Sequence, residues 1–129
     1  MAAYVADTHA LYWYLKNPGK LGAGADAVFR LAEVGEAEIV VPAIVVAEIY
    51  YLTKKRGEVL LPSALFAALD DAPAFVFSDL GREQLVSLEN IDIEEMHDRL
   101  IAAEALAREA TVITRDAVLQ QSAGVSTVW

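Results

Sequence analysis

Cysteine is absent from the 129 residues. That excludes disulfides and thiolate metal centres, so a bound metal would have to be held by carboxylate or histidine. Its absence also fits a reducing cytoplasm. Long apolar runs are missing too. The longest spans 39–47 and stops at Glu48, well short of the roughly 20 residues a membrane-spanning helix needs. The opening MAAYVADTHA has no basic segment followed by an apolar one, so no signal peptide is expected. There are no internal repeats, low-complexity tracts or long linkers. The expectation is a soluble cytoplasmic protein without membrane association, folded as one domain over 1–129.

Positive charge is scarce. Ten Lys and Arg stand against 19 Asp and Glu, for a net charge of −9. Taken alone this disfavours nucleic-acid binding, because phosphate contacts call for Lys and Arg. Two circumstances reverse that inference. Divalent cations invert the sign of a carboxylate pocket, and an acidic body suits a basic protein partner. Hydrophobic residues reach 56%, high for a soluble domain. Such an excess implies a sheet buried on both faces or a partner that covers apolar surface.

The hydrophobic pattern alternates strand and helix. Strands are expected at 3–6, 38–41, 74–77, 111–114 and 126–128. Helices are expected at 8–15, 25–34, 42–56, 62–71, 82–88, 94–109 and 117–121. Asn17-Pro18-Gly19, Gly35 and Gly57 supply stops, and Pro42 and Pro62 supply helix starts. This order predicts an α/β fold with a mostly parallel sheet. Ligands bind such sheets beyond the carboxyl ends of the strands. Asp7 and Asp116 fall there, after the first and fourth strands.

Glu48 is the most informative residue. Its helical neighbours Ile44, Val45, Tyr51 and Leu52 are core-like, and a carboxylate among them is costly unless paired or bound to metal. It either snorkels at the helix edge, pairs with Arg99 or Arg115, or binds a cation. Asp98 opens a helix whose same face carries Ile101, Ala102 and Ala105. There a carboxylate complements the helix dipole by about 0.3–1 kcal/mol. Asp7 and Asp116 also suit helix caps.

Together the four acids point elsewhere. Unit charges about 4 Å apart repel by roughly 4 kcal/mol per pair at an effective dielectric near 20. A converging cluster would need a cation, and all-oxygen ligands select Mg²⁺ or Mn²⁺. Such a cation in a carboxylate pocket suits phosphodiester hydrolysis. Thr114 offers a hydroxyl for the ion's water shell or for a phosphate, or is an ordinary strand residue. Arg99 and Arg115 either balance the pocket or contact substrate. His9 and His97 are expected to pack or hydrogen-bond. Lys54-Lys55-Arg56 suits a solvated helix end or phosphate contact. Tyr12, Trp13, Tyr14, Tyr50 and Tyr51 suit core packing or a protein interface better than base stacking.

The segments VADTHAL, VPAIVVAEI, EMHDRLIAAEALA and VITRD, with the ending VSTVW, resemble a PIN domain. More narrowly, they resemble the VapC-type toxins of type II toxin–antitoxin systems. The likeness spans nearly the whole chain and is weakest over 57–90. It implies a three-layer α/β/α sandwich with a four- or five-stranded, mostly parallel sheet. It assigns Asp7, Glu48, Asp98 and Asp116 as the catalytic and metal-binding acids, with Thr114 as the hydroxyl residue before the last of them. It implies Mg²⁺- or Mn²⁺-dependent cleavage of RNA, a homodimer, and inhibition by a VapB-type antitoxin that places an Arg in the acidic pocket. A housekeeping RNA-processing nuclease would use the same acids, and a catalytically silent module would keep only the fold. A phosphate-receiver domain fits less well. It calls for paired acids after the first strand and a late Lys, whereas Asp7 is single and Asp79 would have to be the acceptor.

Overall fold

A computed structural model describes residues 1–129. Five strands, β1 (Ala2–Ala6), β2 (Ala37–Pro42), β3 (Phe75–Ser78), β4 (Thr111–Ile113) and β5 (Thr127–Val128), form one sheet in the order β3-β2-β1-β4-β5. Every neighbouring pair is parallel. Seven helices separate them: α1 (Thr8–Lys16), α2 (Ala23–Glu33), α3 (Ala43–Lys55), α4 (Pro62–Asp70), α5 (Arg82–Ser87), α6 (Met96–Arg108) and α7 (Ala117–Gln121). The α/β class expected from the pattern is the one observed.

Adjacent residues of the central strands are buried alike: Val5 and Ala6, Val40 and Val41, Val112 and Ile113. Successive strand side chains point to opposite faces, so both faces of the sheet are covered. This gives three layers and accounts for the high apolar content. The buried apolar residues form one continuous core. No helix is long and apolar enough to cross a membrane.

The chain leaves β1 toward β2 and β3, then returns to the other side of β1 as β4 and β5. The sheet therefore reverses direction between β1 and β4, and the crevice at their carboxyl ends is the switch point where α/β sheets bind ligands.

Helix boundaries shift by one or two residues from the sequence pattern, and two of these shifts have a clear local cause. The helix expected from 94 begins at Met96, because the Glu95 side chain accepts a hydrogen bond from the Asp98 amide and caps it. The helix expected from Pro42 begins at Ala43, because Pro42 is extended and stays in register with Ser78. Proline lacks the N–H a ladder would use, so it suits the last position of β2.

Candidate active site

A cleft of about 620 Å³ opens at the carboxyl ends of β1 and β4. Asp7, Glu48, Asp98 and Asp116 all line it. They come from four places far apart in the chain: the end of β1, the middle of α3, the first turn of α6 and the loop after β4.

Each acid is fixed locally. Asp7 caps α1, its carboxylate accepting from the Ala10 amide at 2.8 Å. Burial pushes this carboxyl up, against the pull of the Thr114 hydroxyl and the Ala10 amide. Glu48 accepts a 2.6 Å hydrogen bond from the Thr8 hydroxyl. Asp116 caps α7, accepting from the amides of Val118 and Leu119 at 2.9 and 3.2 Å. Asp98 has its own amide tied to Glu95 at 2.7 Å, but no donor engages its carboxylate among the hydrogen bonds. Its pKa is pushed up to about 6, first by burial and then by repulsion from Asp116, Glu95, Glu48 and Asp7. The acids that repel it line the same cleft.

The supporting residues divide. Arg115 lines the cleft. Arg99 does not pair with Glu48; its guanidinium donates twice to the Leu88 carbonyl, at 3.0 and 2.7 Å, and holds the turn before α6. Thr114 is fully buried. Its hydroxyl accepts from the Asp116 amide at 2.9 Å, so it orients the acid that follows it. His97 lines the cleft, 2.6 Å from Glu95 and 3.9 Å from Glu48. The hydrogen bond to Glu95 raises its pKa, with Glu48 adding to the effect.

Three contributors were not singled out from the sequence. Thr8 and Glu95 hold two of the acids, and Lys20 lines the rim. Thr8 and Glu95 each stand within three residues of a candidate acid at a helix start, a local signal that was available. Lys20 carries no such signal.

The donor set suits a hard divalent cation: all oxygen, no thiolate, with mutual repulsion to relieve. As placed, the acids line one cleft without three of them closing on a single ion. Helix caps and the Thr8 bond account for this, since Asp7, Asp116 and Glu48 are each turned toward a protein donor.

The comparisons with known proteins agree with this geometry. The PIN domain family model matches residues 4–125. Among solved structures, the chain is similar to one in the VapBC2 complex from Rickettsia felis bound to a promoter DNA fragment, with TM-score 0.71, 18% identity and coverage of 97% of this chain and 96% of that one. It is also similar to a chain of DNA-bound VapBC from Salmonella typhimurium, with TM-score 0.70, 18% identity and coverage of 98% and 97%. A toxin–antitoxin complex from Klebsiella pneumoniae gives TM-score 0.62 at 16% identity, with coverage of 98% and 97%. At such identities the likeness speaks to fold. Nothing matches among curated proteins. A family model covering nearly the whole chain, on a fold whose switch point gathers four acids, places the chain in the PIN domain family.

Proposed function

We infer that this protein is a divalent-cation-dependent endoribonuclease and the toxin of a toxin–antitoxin pair. The observation that carries the reading is the convergence of Asp7, Glu48, Asp98 and Asp116, from four separate elements, on one switch-point cleft. Asp7, Glu48, Asp98 and Asp116 are the residues that would hold Mg²⁺ or Mn²⁺. When bound, such a cation supplies Lewis-acid activation of water and neutralises charge on the phosphate oxygens.

The chain's own residues prepare the site. Thr8 keeps one Glu48 oxygen in place. Glu95 caps α6 and fixes the turn that carries Asp98. Thr114 fixes the backbone of Asp116. Each acid is therefore carried by a rigid element, Asp7, Asp98 and Asp116 at element ends and Glu48 midway along α3.

The toxin assignment is supported by end-to-end likeness to chains of VapBC complexes. A VapB-type antitoxin is the proposed inhibitor, since a basic segment entering five cleft carboxylates would be strongly favoured. A homodimer is proposed on the exposed apolar side chains Tyr51, Val59, Leu61, Leu85 and Val86, which water disfavours. A cytoplasmic location follows from an RNA target.

The test is cleavage of total RNA by purified protein with Mn²⁺, with EDTA and with Asp98→Asn. Cleavage that needs both the metal and Asp98 supports the reading. Cleavage that survives either loss overturns it.

A further inference from the structure

The cleft that gathers the acids also gathers cations, and none of these cations is paired with an acid. Lys20, Arg56 and Arg115 all line it. That is three of the ten Lys and Arg in a chain of net charge −9. The same cleft is lined by Asp7, Glu48, Glu95, Asp98 and Asp116, yet among its basic residues only His97 is paired with them, to Glu95 and Glu48; the remaining salt bridges, of Arg30 and Arg108, go to Asp26 and Glu104. Arg115 lies over the Trp13 ring at 4.6 Å, and Lys20 over the same ring at 5.7 Å. Arg56 lies over the Tyr12 ring at 5.3 Å. The three come from the loop after β4, the turn after α1 and the end of α3, and meet on the aromatic wall of α1.

Trp13 is itself held from behind. Trp129 packs against it edge-on, with ring centroids 5.7 Å apart. With 6% of its surface exposed, Trp13 is covered too well to stack on a base. It serves as a platform. Cation–π contact orders long side chains in advance and holds them off the carboxylates they would otherwise neutralise. Their charge stays available to a ligand.

We propose that Lys20 and Arg115 on Trp13, with Arg56 on Tyr12, form the subsite that grips the phosphates of single-stranded RNA on either side of the cleaved bond. The inference rests on the ribonuclease reading above. A polyanion reaching five carboxylates needs cations at the rim, and these three are the cleft's Lys and Arg residues. The cleft has the volume of a site for a drug-sized ligand. A cleft of that size takes one or two nucleotides of a single strand at a time. Positively charged grooves that track the backbone are a general part of single-strand binding, and here the aromatic rings order the cations rather than stack on bases.

The experiment measures binding of a labelled single-stranded RNA to Asp98→Asn protein as KCl is raised, and KM and kcat on the otherwise wild-type chain. Each phosphate contact contributes a salt slope of about 0.7 for a single strand, so three contacts give about 2. Lys20→Gln, Arg56→Gln and Arg115→Gln should each lower the slope by about 0.7 and raise KM several-fold with kcat held. Trp13→Leu should weaken binding while keeping the slope, because the charges remain and lose their order. Wild-type slopes and KM in all three Gln variants would overturn the proposal. So would unchanged RNA binding with lost affinity for polyglutamate, which would assign the rim to an acidic protein partner. Binding with the expected slopes but no cleavage would uphold the subsite and overturn the catalytic reading. Neither binding nor cleavage by the wild-type chain would overturn both.

Discussion

Asp98 carries the clearest functional strain of any residue in the cleft. Its carboxyl is held up to about 6 by burial and by four neighbouring carboxylates, against 3.8 for the free side chain. The folded state therefore binds its proton more tightly than the unfolded chain does. By linkage, metal-free stability from this group falls as pH rises from about 4 through about 6 and stays low above. Asp98→Asn should accordingly raise the melting temperature in EDTA above pH 6 while nearly abolishing RNA cleavage. Thermal melts and a cleavage assay on one preparation check both halves, and a lower melting temperature would contradict the repulsion.

Thr8 offers a second test. Its buried hydroxyl gives Glu48 a 2.6 Å hydrogen bond. Thr8→Val should misplace that carboxylate at a cost on the order of 1 kcal/mol, read as about a fivefold loss in kcat/KM with the fold kept. The Thr8→Ser variant, which keeps the hydroxyl, should recover most of the rate. The four acids were readable from the sequence because each carboxylate stood where apolar periodicity or a strand end made it conspicuous. Arg99 was misleading, because a residue next to Asp98 in sequence points to the Leu88 carbonyl in space.

At the level of elements, α6 is the most constrained. Its N-terminus delivers Asp98, and farther along it buries Glu104, whose side chain is 3% exposed. Arg108 bonds Glu104 at 2.6 Å and the Ser78 hydroxyl at 3.0 Å. This ties α6 to the end of β3. Arg108→Met would leave a buried carboxylate without its partner and should destabilise the fold by about 3 kcal/mol. Urea unfolding of Arg108→Met, Glu104→Gln and the double variant separates this cost from simple loss of packing, since the double variant should recover part of the stability.

The start of α2 gives a result opposite to helix propensity. An alanine at Gly24 would normally favour a helix by up to about 1 kcal/mol. Here its Cβ would fall 2.6 Å from the Trp129 carbonyl oxygen, which accepts a bond from the Gly24 amide at 3.0 Å. Overpacking costs about 1–3 kcal/mol, so Gly24→Ala should lower the melting temperature. The periodicity placed α2 and β5 separately, but nothing in it showed that the two touch.

On the scale of the whole molecule, charge dominates. The chain carries a net charge of −9, and folding brings five of its 19 acids, from distant parts of the sequence, into one cleft. Ligands that bind only the folded state stabilise it, by about 2.7 kcal/mol at a hundred times Kd. Millimolar Mn²⁺ should therefore raise the melting temperature, and the rise should grow between pH 5 and pH 7 as Asp98 loses its proton. A response that is flat across that range would place Asp98 outside the metal site.

The alternation of β-branched runs and amphipathic stretches was enough to specify an α/β sheet, because period and strand length are local properties written residue by residue. Composition likewise narrowed the donors open to any metal, since a chain without cysteine has no thiolate to offer. The order β3-β2-β1-β4-β5 is different in kind. It brings Asp7 beside Asp116 and lays α3 and α6 across the same opening. The pairing of Thr8 with Glu48 and the meeting of Arg56 and Arg115 with the rings of α1 span long stretches of chain, and even the shorter turn of Arg99 to the Leu88 carbonyl crosses between elements. Local patterning encodes which face of an element is buried, whereas the partner met across that face is set by how the layers pack.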